Sequence, residues 1–315
     1  MQKSKQMKRV FVRGISRSGG TLMVTILDAH PDLAMTYETY EHLLSPISPS
    51  KDHLEAAINC IDNRVSKKGI YPKLKDKFLP KAFSTSSSLD SKKFLLFADR
   101  AERAGVNSSC LHEALLKHKK ANLTFDSFKH RMQFVEQVAL IKAVHEEKSG
   151  WGAKLLGKYQ ETIDLWPDAK ILFMLRDGRD IAASRTSKGS FDQTIGEIAS
   201  GYVSQINKFE KFTSKYPTSG YLVNYESLVR NPEVELRSIV SFLGLQWSDH
   251  LLKHDEMNLS IFSNPKGHLS RDQVNKPINN ASIGRWKTNL SHSEVLEFES
   301  IAGETLMRHG YSLSS

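Results

Sequence analysis

The 315-residue sequence predicts an α/β fold: a parallel sheet flanked by helices on both faces, with a helical insertion. Three observations carry this. Residues 9–13 (RVFVR) read as a short strand that runs into a glycine-rich turn over 14–21 and then an apolar helical run. Residues 170–175 (KILFML) form an unbroken apolar stretch, the mark of a parallel strand covered on both faces. Strand-like and helical segments alternate after Trp151, the pattern of a sheet with helices on its faces.

Each element has its own signal. The first helix stops at His30-Pro31, because the residue before a proline is pushed out of α space. Residues 41–149 lack strand signals. They hold charged helical stretches, a Ser-rich joint at 84–91 (STSSSLDS), and an amphipathic helix with Phe134, Val138, Ile141 and His145 at helical spacing. We read this segment as a helical cap inserted in a single domain spanning 1–315. Beyond it, Tyr159, Ile163 and Trp166 mark a helix, and Ile195, Ala199, Tyr202, Ile206 and Phe209 form the core stripe of a longer one. A short strand at 221–223 precedes a helix opened by Asn231-Pro232, with Leu236, Ile239, Val240 and Leu243 facing inward and Gly244 as its stop. Ser291 and Glu294 make a capping-box pattern ahead of a last helix towards Gly310.

Composition narrows the function classes. With 39% hydrophobic and 25% charged residues, the chain is an ordinary globular one. No run approaches the roughly 18 apolar residues of a membrane span, and the polar, basic start lacks a signal-type apolar core, so a soluble, cytoplasmic protein is expected. Two cysteines, Cys60 and Cys110, make neither a disulfide framework nor a four-ligand zinc site, and the twelve histidines form no ligand or triad pattern. The net charge is +9, and residues 64–93 alone carry nine basic and two acidic side chains. That stretch has no zinc-finger spacing, basic zipper or RRM-like aromatics, so nucleic acid is not the expected partner. It is either a solvated face or a surface that meets an acidic acceptor.

The glycine-rich turn follows the Walker A pattern G-x-x-x-x-G-K-[ST] in shape: Gly14, Gly19, then Gly20 in place of lysine, and Thr21. Glycines let backbone N–H groups turn in around phosphate oxygens, and the following helix adds its positive end. This makes the expected sheet P-loop-type. The lysine that grips β and γ phosphates is missing, and a cation stands inside the loop instead, at Arg17. The strand ending at Leu175 runs into Arg176, where a magnesium site would want a carboxylate. Ordinary ATP or GTP hydrolysis is therefore disfavoured.

Arg17-Ser-Gly-Gly-Thr-Leu22 with Leu27-Asp-Ala-His-Pro31 resembles the 5′-phosphosulfate loop of sulfotransferases, which use 3′-phosphoadenosine 5′-phosphosulfate (PAPS). Leu175-Arg-Asp-Gly-Arg-Asp-Ile-Ala-Ala-Ser184 resembles that family's 3′-phosphate motif, in which a strand-end arginine and a serine eight residues later bind the phosphate; here these are Arg176 and Ser184, with Arg179 adding to the field. Trp151-Gly-Ala-Lys154 is similar to the W-G-x-K segment whose lysine lies at the transferring sulfate. Tyr225-Glu-Ser-Leu228 is similar to the Y-E-x-L segment whose tyrosine lies near the nucleotide. The tail, Ser270-Arg-Asp-Gln-Val-Asn-Lys-Pro277 and Ser282-Ile-Gly-Arg-Trp286, most resembles the tyrosylprotein sulfotransferase branch, and Tyr37-Glu38-Thr39 matches the position of that branch's catalytic glutamate.

The resemblance implies a set of roles. Glu38 is the general base on the acceptor hydroxyl. Arg17 and Lys154 stabilise the sulfuryl and leaving-phosphate oxygens, supported by Ser270. PAPS contacts fall to Arg17, Ser18, Gly19, Gly20, Thr21, Leu22, Arg176, Ser184, Tyr225, Ser270 and Arg285. No metal is implied, because sulfate carries less charge than phosphate and fixed cations with backbone donors suffice. A glutamate among cations stays ionised, as a base must; the alternative for Glu38 is a salt bridge to Arg17. Three departures stand out: Gly20 replaces the family's usual second threonine, Ala153, Leu155 and Leu156 replace the acidic, threonine and proline residues common around the lysine, and Tyr40 stands where the tyrosylprotein branch has an arginine near the acceptor. The expected activity is sulfuryl transfer to a hydroxyl on a glycan, glycolipid or small molecule, with peptidyl tyrosine as the nearest rival. A noncatalytic polyanion- or nucleotide-binding protein is the alternative of another class.

Overall fold

The computed structural model describes residues 7–44, 58, 88–154, 158–187, 192–263 and 273–314. Five strands form one parallel sheet in the order β2-β3-β1-β4-β5, flanked by helices. The strands are β1 (Arg9–Gly14), β2 (Leu33–Tyr37), β3 (Gly150–Lys154), β4 (Lys170–Leu175) and β5 (Gly220–Asn224). The chain divides into two compact units: 1–9 with 24–155 and 254–275, and 10–23 with 156–253 and 276–315.

In the first unit β2 and β3 pair in parallel, with Leu33 opposite Gly150 and Tyr37 opposite Lys154. Neither strand was expected from sequence. Behind the pair lie α2 (Ser88–Arg103), α3 (Ser108–Lys120) and α4 (Phe128–His145), which are the helices expected within 41–149. The Ser-rich joint needs correcting: 88–91 belong to the first turn of α2, while 84–87 lie outside the described residues. Most of the basic stretch 64–93 and Cys60 also lie outside them.

A buried ion pair anchors α4 to the residues before β2. Lys142 Nζ donates to Asp28 Oδ1 at 2.6 Å with both side chains about 1% exposed, and Asp28 also accepts from the Met35 backbone N–H at 2.7 Å. Removing one partner of such a pair costs about 3–5 kcal/mol, since the other charge stays buried.

In the second unit β1, β4 and β5 are parallel, with Val10 opposite Lys170 and Ile171 opposite Gly220. Packed in this unit are α5 (Tyr159–Leu165), α6 (Gly178–Thr186), α7 (Ile195–Lys215), α8 (Tyr225–Arg230), α9 (Pro232–Leu243), α10 (Trp286–Asn289) and α11 (His292–Arg308), while α1 (Gly20–Asp28) begins here and ends in the first unit. The expected caps are present: Pro232 opens α9, Gly244 closes it with φ 63°, and Ser291 with Glu294 form a capping box on α11. Among the described residues no helix is long and apolar enough to cross a membrane.

Candidate functional site

The residues of the second unit expected to contact PAPS gather where β1, β4 and β5 end. The turn after β1 keeps its cation inside: Arg17 adopts a left-handed backbone (φ 78°), costly for a residue with a Cβ, and its Nε donates to Ser184 Oγ at 3.0 Å. Gly19 follows with φ 100°, and a Cβ there would lie 2.6 Å from the Tyr225 ring. The loop can therefore bend this tightly only with glycine at that place. Gly20, Thr21 and Leu22 form the first turn of α1, whose N-terminal N–H groups have no carbonyl of their own helix to bond. Ser18 is buried, and its Oγ has no hydrogen-bond partner among the described residues.

Arg176 leaves the end of β4 and donates to the carbonyl oxygens of Arg17, at 3.0 Å, and Ser282, while its guanidinium lies 4.6 Å from the Tyr225 ring centroid. Burial lowers the Arg17 pKa, and the charges of Arg176 and Arg285 lower it further. Burial and the Arg17 charge do the same to Arg185. A group of guanidinium ions gathered around Arg17, beside an orphaned buried hydroxyl and a helix start, fits a polyanionic nucleotide such as PAPS.

Arg185 was not foreseen. It donates to Ser16 O at 3.4 Å and Gln193 Oε1 at 2.8 Å, so it ties the phosphate loop to the segment before α7. Its position right after Ser184 is the signal that could have found it. Arg179 is a correction. Rather than adding to the phosphate field, it is buried against Asp177 (2.8 Å) and Glu299 (2.6 Å) and stacks 4.0 Å from the Trp286 ring centroid, so its charge is already matched. Two further carboxylates hold the frame. Asp180 accepts from the backbone N–H groups of Gly284 (2.8 Å) and Trp286 (3.0 Å), on either side of Arg285, and burial raises its pKa. Glu226 accepts from the Asp177 backbone N–H (3.0 Å) and the Tyr311 hydroxyl (2.9 Å), joining the ends of β4 and β5; burial raises its pKa as well.

The first unit brings Glu38 and Lys154 to neighbouring strand tips: Lys154 ends β3 opposite Tyr37, and Glu38 follows Tyr37. Glu38 is again left-handed (φ 55°). Its carboxylate lies 3.8 Å from Arg100 of α2, an ion pair not foreseen beside the salt bridge to Arg17 that the sequence left open. Burial raises the pKa of Tyr40, and the Glu38 charge adds to the rise. Ser270 lies outside the described residues. Cys110 Sγ sits 3.3 Å from His145 Nδ1 in the cap, but burial raises the thiol pKa, which disfavours the thiolate a nucleophile needs. Among the described residues no group of three His, Cys, Asp or Glu could hold a metal ion.

The sulfotransferase family matches residues 9–249. Protein-tyrosine sulfotransferase A of Caenorhabditis elegans is 24% identical over 96% of this chain and 67% of its own length, and the protein-tyrosine sulfotransferase of Drosophila melanogaster is 26% identical over 95% and 51%. The chain thus spans from about half to two thirds of these relatives. Protein-tyrosine sulfotransferase 1 of Homo sapiens is 29% identical over 98% of this chain and 70% of its own length. Among solved structures, the sulfotransferase domain of the Synechococcus PCC 7002 olefin synthase superposes over 99% of both chains with a TM-score of 0.54 and 19% identity, which speaks for the fold. A strand-end arginine beside a serine-bearing helix, a phosphate loop that lacks the Walker lysine but holds Arg17, and a match over most of the sequence agree: the chain belongs to the sulfotransferase family, and is by that membership a transferase.

Proposed function

We propose that the protein moves the sulfuryl group of PAPS to an acceptor hydroxyl, working as one domain with 41–149 as its cap. The observation that carries this is the cluster of Arg17, Arg176 and Ser184 around a phosphate-type loop, with Tyr225 beneath it. When bound, PAPS supplies an activated sulfuryl group with a phosphate leaving group. The chain's residues do the rest. Arg176, Ser184 and Arg285 hold the 3′-phosphate end, and Arg17 with the backbone N–H groups of 18–22 takes up charge building on the 5′-phosphate oxygen. Lys154 and Ser270 stabilise the sulfuryl oxygens. Glu38 accepts the acceptor's proton as the new O–S bond forms and the S–O bond to the phosphate breaks.

The relatives' names favour peptidyl tyrosine as acceptor, whereas Tyr40, in place of that branch's arginine, favours a less acidic one: a glycan, glycolipid or small molecule. A screen of such hydroxyl compounds and tyrosine peptides with labelled PAPS decides between them. The donor reading is tested by thermal stabilisation. Adenosine 3′,5′-bisphosphate raises the melting temperature more than ATP with magnesium does, and equal or reversed stabilisation would overturn the reading. Glu38→Gln keeps bisphosphate binding and loses roughly 10²-fold or more in turnover; unchanged turnover would mean that another base serves.

A further inference from the structure

Glu38 and its neighbours are held by one helix of the cap. Arg100 and Arg103, three residues apart and so on one face of α2, both act on the tip of β2. Arg100 Nη1 lies 3.8 Å from Glu38 Oε2, with the two side chains 24% and 18% exposed, and its guanidinium lies 5.4 Å from the Tyr40 ring centroid. Arg103 acts on Tyr37: burial raises the pKa of that hydroxyl, and the Arg103 charge draws it back. The Arg103 carbonyl also accepts from the Phe262 backbone N–H at 2.7 Å, and the Phe262 ring stacks on Tyr37 with centroids 4.0 Å apart. Phe262 is itself left-handed (φ 56°), a conformation that an aromatic residue keeps only when its surroundings impose it. Tyr37, Glu38 and Tyr40 are thus each engaged by α2.

At 3.8 Å the Arg100–Glu38 pair is electrostatic rather than a hydrogen bond, so Arg100 does not fill a lone pair of the carboxylate. A base needs those lone pairs. We propose that Arg100 is a positioning residue for sulfuryl transfer, holding the Glu38 carboxylate ionised and aimed at the acceptor hydroxyl. This rests on Glu38 being the base. Arg100 itself exchanges no proton: the acceptor proton passes to Glu38, and the electron pair of the breaking S–O bond passes to the phosphate oxygen. Beside Arg100, the charged and titratable groups of this cluster among the described residues include Tyr37, Tyr40, Glu41 and His42 from the segment of Glu38, Lys93 and Arg103 from α2, and Lys154 opposite Tyr37 on β3.

The test uses the full chain with Arg100→Ala, Arg100→Lys and Arg100→Met, the last keeping an apolar stem against Tyr40. Turnover is read with an acidic tyrosine peptide and with the best acceptor from the screen. Arg100→Ala and Arg100→Met lower kcat roughly tenfold or more. They leave the bisphosphate dissociation constant and acceptor KM within about threefold, and they move the acid limb of the kcat profile to higher pH, because a cation that favours the carboxylate is gone. Arg100→Lys, or guanidinium added to Arg100→Ala, recovers part of the loss. Wild-type kcat and pH profile in Arg100→Met, with bisphosphate still bound, overturn the positioning role alone. Failure of the wild type to bind bisphosphate removes the sulfotransferase reading, and this role with it.

Discussion

At the scale of single residues, the proposed donor site is a matter of which guanidinium groups are already matched. Arg179 has two carboxylate partners and an indole beneath it, whereas Arg176 is bound mainly to carbonyl oxygens and lies 3.6 Å from one carboxylate, Asp180. A neutral carbonyl leaves most of a cation's field available to an anion. Arg176→Ala therefore raises the bisphosphate dissociation constant roughly 10- to 100-fold, the worth of one charge-assisted contact. Calorimetric titration checks this, and an unchanged constant would remove Arg176 from the nucleotide's contacts. Both arginines were visible in the sequence, Arg176 as the strand-end cation and Arg179 as an addition to its field. Their different standing was not, because Glu299 lies 120 positions from Arg179.

At the scale of elements, the strands and helices that carry the site differ in how plainly they announce themselves. β4 and α7 stand out because a buried strand and a one-faced helix need long, regular apolar patterns. β2 (LAMTY) and β3 (GWGAK) are five residues each, and the two glycines of β3 carry no strand preference; they are strands because each supplies the other's hydrogen bonds. The Arg100–Glu38 pair is illegible for a related reason, since the partners stand 62 positions apart in the sequence. Gly178 shows how a motif glycine can be a packing residue: a Cβ there would lie 2.5 Å from the Phe298 ring. Asp180 works at this scale too. Asp180→Ala leaves the Gly284 and Trp286 N–H groups without their acceptor, at a cost of about 1–3 kcal/mol. Bisphosphate affinity then falls although Asp180 is no ligand, and a denaturant titration run beside the binding measurement shows both losses; loss of neither would show the segment to be held otherwise.

At the scale of the whole molecule, one source of pH dependence lies in the cap. His118 is fully buried among Phe125 and Phe134, and burial pushes its pKa down to about 4 from an ordinary 6.5. Between those values the unfolded chain binds a proton that the folded one refuses, so stability falls as pH drops from about 6.5 towards about 4. His118→Phe flattens that part of the melting temperature's pH dependence, and an unaltered slope would place the sensitivity elsewhere. Neutral pH and above are unaffected by this group. A last consequence concerns Arg17 and Glu38, which both sit at positive φ. Glycine at either place would relieve about 1 kcal/mol of backbone strain while deleting a charge that the proposed reaction uses. Selection for heat resistance alone would thus drift towards inactive proteins at these two positions, and a library screened for robustness has to hold them fixed.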